Sequence, residues 1–254
     1  MWFWYSILGL IIVVNGLRWW NYFSPFSALA RQLLPMADPL YERMTARDKN
    51  RFRYRFNELN RTTNFILKQG LTPAKLEKVR TIVMLAAARL SLHLSKRAFD
   101  QYEKIIVYPS SYYSNLGHAY HKGEVNPGMG FIVLSYEHIV RGFETQEGVN
   151  LVYHELAHAL WLEHKLYNYD VFNSKDFDEY EAIARLSMET SGQDEPHFFR
   201  DYAFTNAAEF FAVAVENFFE RPREFDQAMP GLYASLARLF KQDWGSGIQH
   251  GGLS

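Results

Sequence analysis

HELAHALWLEH, residues 154–164, is the stretch on which the reading of this chain turns. His154 and His158 stand four apart with Glu155 beside the first. On a helix both imidazoles leave one face. Two ring nitrogens so placed reach one ion at the ~2.0–2.1 Å of a zinc–imidazole bond. Glu155 is positioned to take a proton from metal-bound water. Leu151, Val152, Leu156, Ala159 and Leu160 make the helix apolar and hence buried. The competing reading is a core helix carrying two satisfied histidines.

His164 has the spacing of a longer motif, H-E-x-x-H-x-x-G-x-x-H, in which a glycine turns the chain towards the ion. Trp161 stands where that glycine would be, and tryptophan is strained in the left-handed backbone the turn needs. On a continuing helix His164 lies about 80° round the axis from His154 and about 15 Å along it. It is out of reach of the same ion and reads as a helix C-terminal residue favoured by the dipole.

A second helix, AAEFFAVAVENFFERP at 207–222, offers carboxylates instead. Glu209 and Glu216 share a face flanked by Ala and Phe. Carboxylates on so apolar a helix need partners, and a metal ion and a ligand histidine would supply them. Glu209 has another reading: with Asn206 it has the N-cap and N3 spacing of a capping arrangement. The residues alone leave both open.

Composition narrows the field. The chain has 254 residues, enough for one sizeable domain with a real core. At 48% hydrophobic and 17% aromatic it is too apolar for disorder. A net charge of -1 gives no field that would draw nucleic acid. The absence of cysteine excludes disulfides, thiolate metal sites and cysteine nucleophiles. Any metal must be held by His, Asp or Glu.

MWFWYSILGLIIVVNGLRWW opens the chain with no charged side chain before Arg18. As a helix, Trp2 to Trp20 would run about 28 Å, near the ~30 Å of a bilayer core. Tryptophans flank both ends, as in interfacial belts. A signal peptide would want a basic start and a small-residue cleavage site, and neither is evident. A buried core helix is the other reading. Between Arg18 and Arg61 nine basic residues stand against four acidic ones, so the positive-inside rule places the body of the protein in the cytoplasm. The expectation is a single-pass membrane protein.

Residues 23–45, with Pro25, Pro35 and Pro39, read as a juxtamembrane linker. RFRYRF, 51–56, interleaves bases with aromatics, but Phe52, Phe56, Leu59, Thr63 and Ile66 fall on one helical stripe and leave the arginines to solvent. Thr72-Pro73 marks an N-cap and N1 of a helix running to about Leu94. KIIVY, 104–108, and GFIVLS, 130–135, read as strands, with a Gly-rich loop over 109–130. GFIVLS is either an edge strand that pairs with an extended peptide or an internal strand. Helical stretches follow near 146–166 and 205–220, and Pro222 and Pro230 then break the pattern.

GVNLVYHELAHAL, RDYAFTNAAEFFAVAVENFFERPREF and MPGLYASLARLFKQD together resemble the Mlc titration factor A family of zinc-dependent peptidases, over about residues 50–243. That family is similar in its catalytic core to the anthrax lethal factor protease domain. Position by position, the resemblance implies zinc ligands at His154, His158 and Glu209, a general base at Glu155 and an oxyanion donor at Tyr202. Glu216 would support the ligands from behind. The resemblance does not extend to the apolar opening.

The expected protein is α+β: a mostly helical gluzincin-type zinc peptidase domain with a small sheet, preceded by one transmembrane helix. Its expected parts are an anchor at 1–22, a linker at 23–45, a peptidase domain at 46–245 and a disordered tail at 246–254. It would bind one Zn2+ per chain, hydrolyse peptides or proteins, touch the membrane through its first helix and bind no nucleic acid; a protein regulator is left open. The rival is a membrane-tethered binding protein using the zinc domain as a scaffold. A closed structural site would need a fourth ligand, for which His118 and His121 are the candidates, although they read better as plain loop histidines.

Overall fold

Thr72 accepts a hydrogen bond from the Lys75 amide and Pro73 takes the first helical position, so the chain enters α3, Pro73–Leu90, where the sequence predicts. From Thr81 to Leu90 this helix is buried throughout, and the rest of the domain is built around it. The computed structural model describes residues 4–7, 9, 16, 24–114, 119–145, 147–167, 169–190 and 197–245. It is mostly helical with a small mixed sheet, an α+β fold.

Ahead of α3 come α1, Ala28–Ala37, and α2, Ala46–Thr62. Phe52, Phe56 and Leu59 of α2 are buried, as their spacing requires, while Thr63 caps the helix and Ile66 falls in strand β1, Asn64–Leu67. Residues 23–45, read as a linker, carry α1, and its Ala30, Leu33, Leu34 and Ala37 join the core. Asp38 at the end of α1 faces the buried Arg89 of α3 at 3.6 Å, and Arg89 stacks on Trp244 at 4.1 Å.

β2, Lys104–Tyr108, and β6, Phe131–Ser135, lie where KIIVY and GFIVLS predict. The Gly-rich stretch between them also holds β3, Tyr112–Ser114, β4, Ala119–His121, and β5, Gly123–Asn126. β1, β2 and β6 run parallel, and β5 adds antiparallel to β6, in the order β1-β2-β6-β5. GFIVLS is therefore internal, paired on both sides, and β5 is the outer strand beside it, with β1 at the opposite edge. β3 and β4 form a separate antiparallel pair.

α4, Tyr136–Thr145, leaves β6 directly and leads to α5, Leu151–Tyr167. α6, Ser174–Thr190, was not anticipated; it buries Phe177, Tyr180 and Ala184. α7, Ala207–Glu220, packs along α5. Pro222 and Pro230 do not end the helical pattern. Each stands at the first position of a further helix, α8, Pro222–Ala228, and α9, Pro230–Phe240, where proline's missing amide costs nothing.

The membrane reading is corrected. Among the described residues no helix is long and apolar enough to cross a membrane. The continuous aliphatic and glycine run from Ile7 to Val14 would reach only about 12 Å as a helix, and Asn15, Gly16 and the tryptophans around it are poor substitutes for hydrocarbon. The single-pass placement and its cytoplasmic orientation are not retained. Most of 1–22, and the tail 246–254, lie outside the described residues.

Candidate metal centre

Asn150 opens α5. Its side-chain oxygen accepts from the amides of Val152 at 3.0 Å and Tyr153 at 3.2 Å, which satisfies donors that a helix start leaves free. The helix then runs unbroken through Trp161 to Tyr167. His154 and His158, one turn apart, bring their Nε2 atoms to 3.1 Å.

α7 opens in the same way. Asn206 Oδ1 accepts from the amides of Ala208 and Glu209, each at 3.0 Å. Glu209 is thus in the first turn, as the capping reading has it, and its side chain also faces the histidines. Glu209 Oε2 lies 3.1 Å from His154 Nε2 and 3.4 Å from His158 Nε2. The Asn206 half of the capping arrangement is present, while the Glu209 carboxylate faces the histidines.

Two turns further along α7, Glu216 reaches behind His154. Its Oε1 is 2.7 Å from His154 Nδ1, so Nδ1–H donates to the carboxylate and, in the neutral ring, Nε2 carries the lone pair. Glu216 also accepts from the Asn150 amide at 2.6 Å and from Arg200 at 2.6 and 3.2 Å. Arg200 donates onward to the Gly148 carbonyl at 3.0 Å. Glu220 completes the brace, accepting from the Gly148 amide at 2.9 Å and the Asn150 side chain at 2.7 Å.

A lone pair on His154 Nε2, a ring nitrogen of His158 and the Glu209 carboxylate therefore converge on one point. Their ligand atoms lie within 4.8 Å of one another, and Glu209 Oε2 is buried without a hydrogen-bond partner. Such a cluster repels itself unless a cation sits in it. A tetrahedral ion with ~2.0–2.1 Å bonds has edges of about 3.3–3.4 Å, close to the 3.1–3.4 Å spacings here. Charge agrees with shape. Burial disfavours protonation of His154, yet the Glu209 and Glu216 carboxylates beside it outweigh that and lift its pKa to about 10. A pocket that holds a proton so firmly suits a divalent ion in its place. The residues fit a metal.

Glu155 is buried, 5% exposed. Burial raises its pKa, with His154 and His158 pulling the other way. Tyr202, in a short 3-10 turn over Asp201–Thr205, has its ring 6.1 Å from that of His154. Burial, then Glu209, push its pKa to about 12, so it is a neutral hydroxyl donor at pH 7.

His164 is elsewhere. In the last turn of α5, its ring packs on Phe177 at 4.3 Å and Phe172 at 5.6 Å, and burial lowers its pKa. His121 is not in the cluster, and His118 lies outside the described residues. Sequence reasoning missed Asn150, Arg200 and Glu220. Asn150 carried a signal, an N-cap residue ahead of an apolar run. Arg200 and Glu220 carried none, because their partners are distant in the chain.

The pattern that defines the glucose-regulated metallo-peptidase M90 family matches residues 18–241. Proteins named Mlc titration factor A, from Yersinia pestis (strain Pestoides F) and Yersinia pseudotuberculosis serotype O:1b (strain IP 31758), are 26% identical over 212 residues. Each match covers 74% of this chain and 75% of the relative. With two histidines and a glutamate gathered as a metal site requires, and a family match running almost from end to end, this chain belongs to the glucose-regulated metallo-peptidase M90 family.

Proposed function

We propose that the protein is a zinc-dependent metallopeptidase in which His154, His158 and Glu209 hold one zinc ion and Glu155 is the general base. The observation that carries this is the convergence of three lone-pair donors beside a buried carboxyl. Two imidazoles and a carboxylate, with no thiolate in the chain, are a donor set that catalytic zinc sites use, with a position left for water or substrate. Held by His154, His158 and Glu209, a zinc ion would supply Lewis acidity to the scissile carbonyl and would lower the pKa of a bound water towards ~7. Glu155 accepts the proton of the attacking water and returns it to the leaving amine. The Tyr202 hydroxyl donates to the oxyanion, a charge that develops only as the carbonyl is attacked. Glu216 fixes the His154 tautomer and keeps the ring basic. The outer strand β5 offers an extended peptide a backbone edge to pair with.

The test is cleavage of a fluorogenic peptide library by the purified protein. Glu155→Gln should keep its zinc and lose activity by about 10²–10⁴-fold. Tyr202→Phe should keep zinc and KM and lose about 10²–10³-fold in kcat. Two mutants as active as wild type would remove these residues from the chemistry. The relatives' name favours one other reading: a factor that titrates a partner protein, with the same site holding the fold and little turnover. A wild type that cleaves nothing in the library supports that reading instead.

A further inference from the structure

β5 begins at a glycine that has no turn to make. Gly123 pairs with Leu134 in the first rung of the β5–β6 ladder, and its backbone is outside the left-handed region. Its lack of a side chain has another cause. A Cβ built on Gly123 would fall on Glu155 Oε1 and lie 2.7 Å from both Cδ and Cγ of that residue. Carbon atoms in contact sit ~3.5–4.0 Å apart. The Glu155 carboxyl therefore fills the volume that any side chain at 123 would need.

The strand is the partner less free to move. β5 is laddered to β6 over four positions, and Val125, two residues on, packs against the core. Glu155 is 5% exposed and springs from the same helix turn as His154 and His158. We infer that Gly123 is a positioning residue for the base: its bare Cα seats the Glu155 carboxyl directly against the outer strand, beside the path of a peptide paired to β5. This rests on Glu155 being the base. The atoms that an added methyl meets are the end of a side chain, so Gly123→Ala re-aims the carboxyl before it displaces the strand. Misplacing a reacting group by about 1 Å costs roughly a hundredfold in rate.

The experiment has two parts. In the peptide assay, Gly123→Ala should lower kcat about a hundredfold with zinc content and KM unchanged. Gly128→Ala should be silent, since the nearest atom to a Cβ there is Asn126 Oδ1 at 3.7 Å. The second part needs no turnover. Thermal melts of the chelated protein are compared for wild type, Gly123→Ala, Glu155→Ala and the double mutant. Gly123→Ala should lower the melting temperature by several degrees when Glu155 is present and leave it unchanged when residue 155 is alanine. If Gly123→Ala does not fold, the double mutant should still fold as Glu155→Ala does. Equal losses in both backgrounds overturn the inference, as does full activity in Gly123→Ala. A wild type without peptidase activity would refute the function while the melts still decide the contact.

Discussion

Glu216 sets what His154 can do. Because its carboxylate accepts from Nδ1–H at 2.7 Å, Nε2 is the nitrogen that faces Glu209 and His158. The metal affinity of the three ligand candidates should therefore differ sharply from that of the histidine the motif tempts one to add. Glu209→Ala is expected to lose zinc and His164→Ala to keep it, by metal analysis of the purified mutants; zinc lost only from His164→Ala would show the wrong third ligand. Glu216→Ala should weaken zinc about 10–100-fold in competition with a chelator. His154, Glu155 and His158 were legible because one helical turn is local information. Glu209 was legible only as one of two readings, until the family resemblance weighed in. Arg200 was not legible at all: its carboxylate partner is 16 residues away and on another element.

At the scale of elements, α7 does two things at its first turn. Asn206 caps it and Glu209 turns to the histidines. Asn206→Ala should cost about 1 kcal/mol of stability, read from denaturant melts, and should also loosen zinc, because the cap holds the Glu209 amide. A stability loss with zinc affinity intact would separate the two jobs. The two site helices were readable from apolar periodicity and so was α3, from its Thr-Pro start. The strands β3 to β5 were not. They are three or four residues long and set among glycines, and their stability lies in pairing across the chain, which no local pattern records. Pro222 and Pro230 were misread for the opposite reason: proline ends a helix and begins one with equal local force.

Over the whole molecule, two buried carboxyls make stability depend on pH. Glu163 is fully buried, accepts from the amides of Phe99 at 2.7 Å and Gln101 at 2.9 Å, and has its pKa pushed by burial to about 7. Burial takes Glu220 to about 7 as well. In the unfolded chain such groups titrate near ~4.3. Between those values the folded chain holds protons that the unfolded chain has released. Their contribution is complete below about 4.3 and is lost as pH rises through about 7. In chelated protein, the melting temperature of wild type should fall more steeply between pH 5 and 7.5 than that of Glu163→Gln. Parallel curves would refute the assignment. The anchor was the largest misreading at this scale. Counting uncharged residues made the opening look long enough to span, whereas the strongly apolar part of it is short.

The brace of Asn150, Arg200, Glu216 and Glu220 is made wholly of bonds between parts of the chain. None of them waits for an ion. His154 is thus aimed by the chain's own bonds, so an ion arriving there would meet a ligand already turned to receive it.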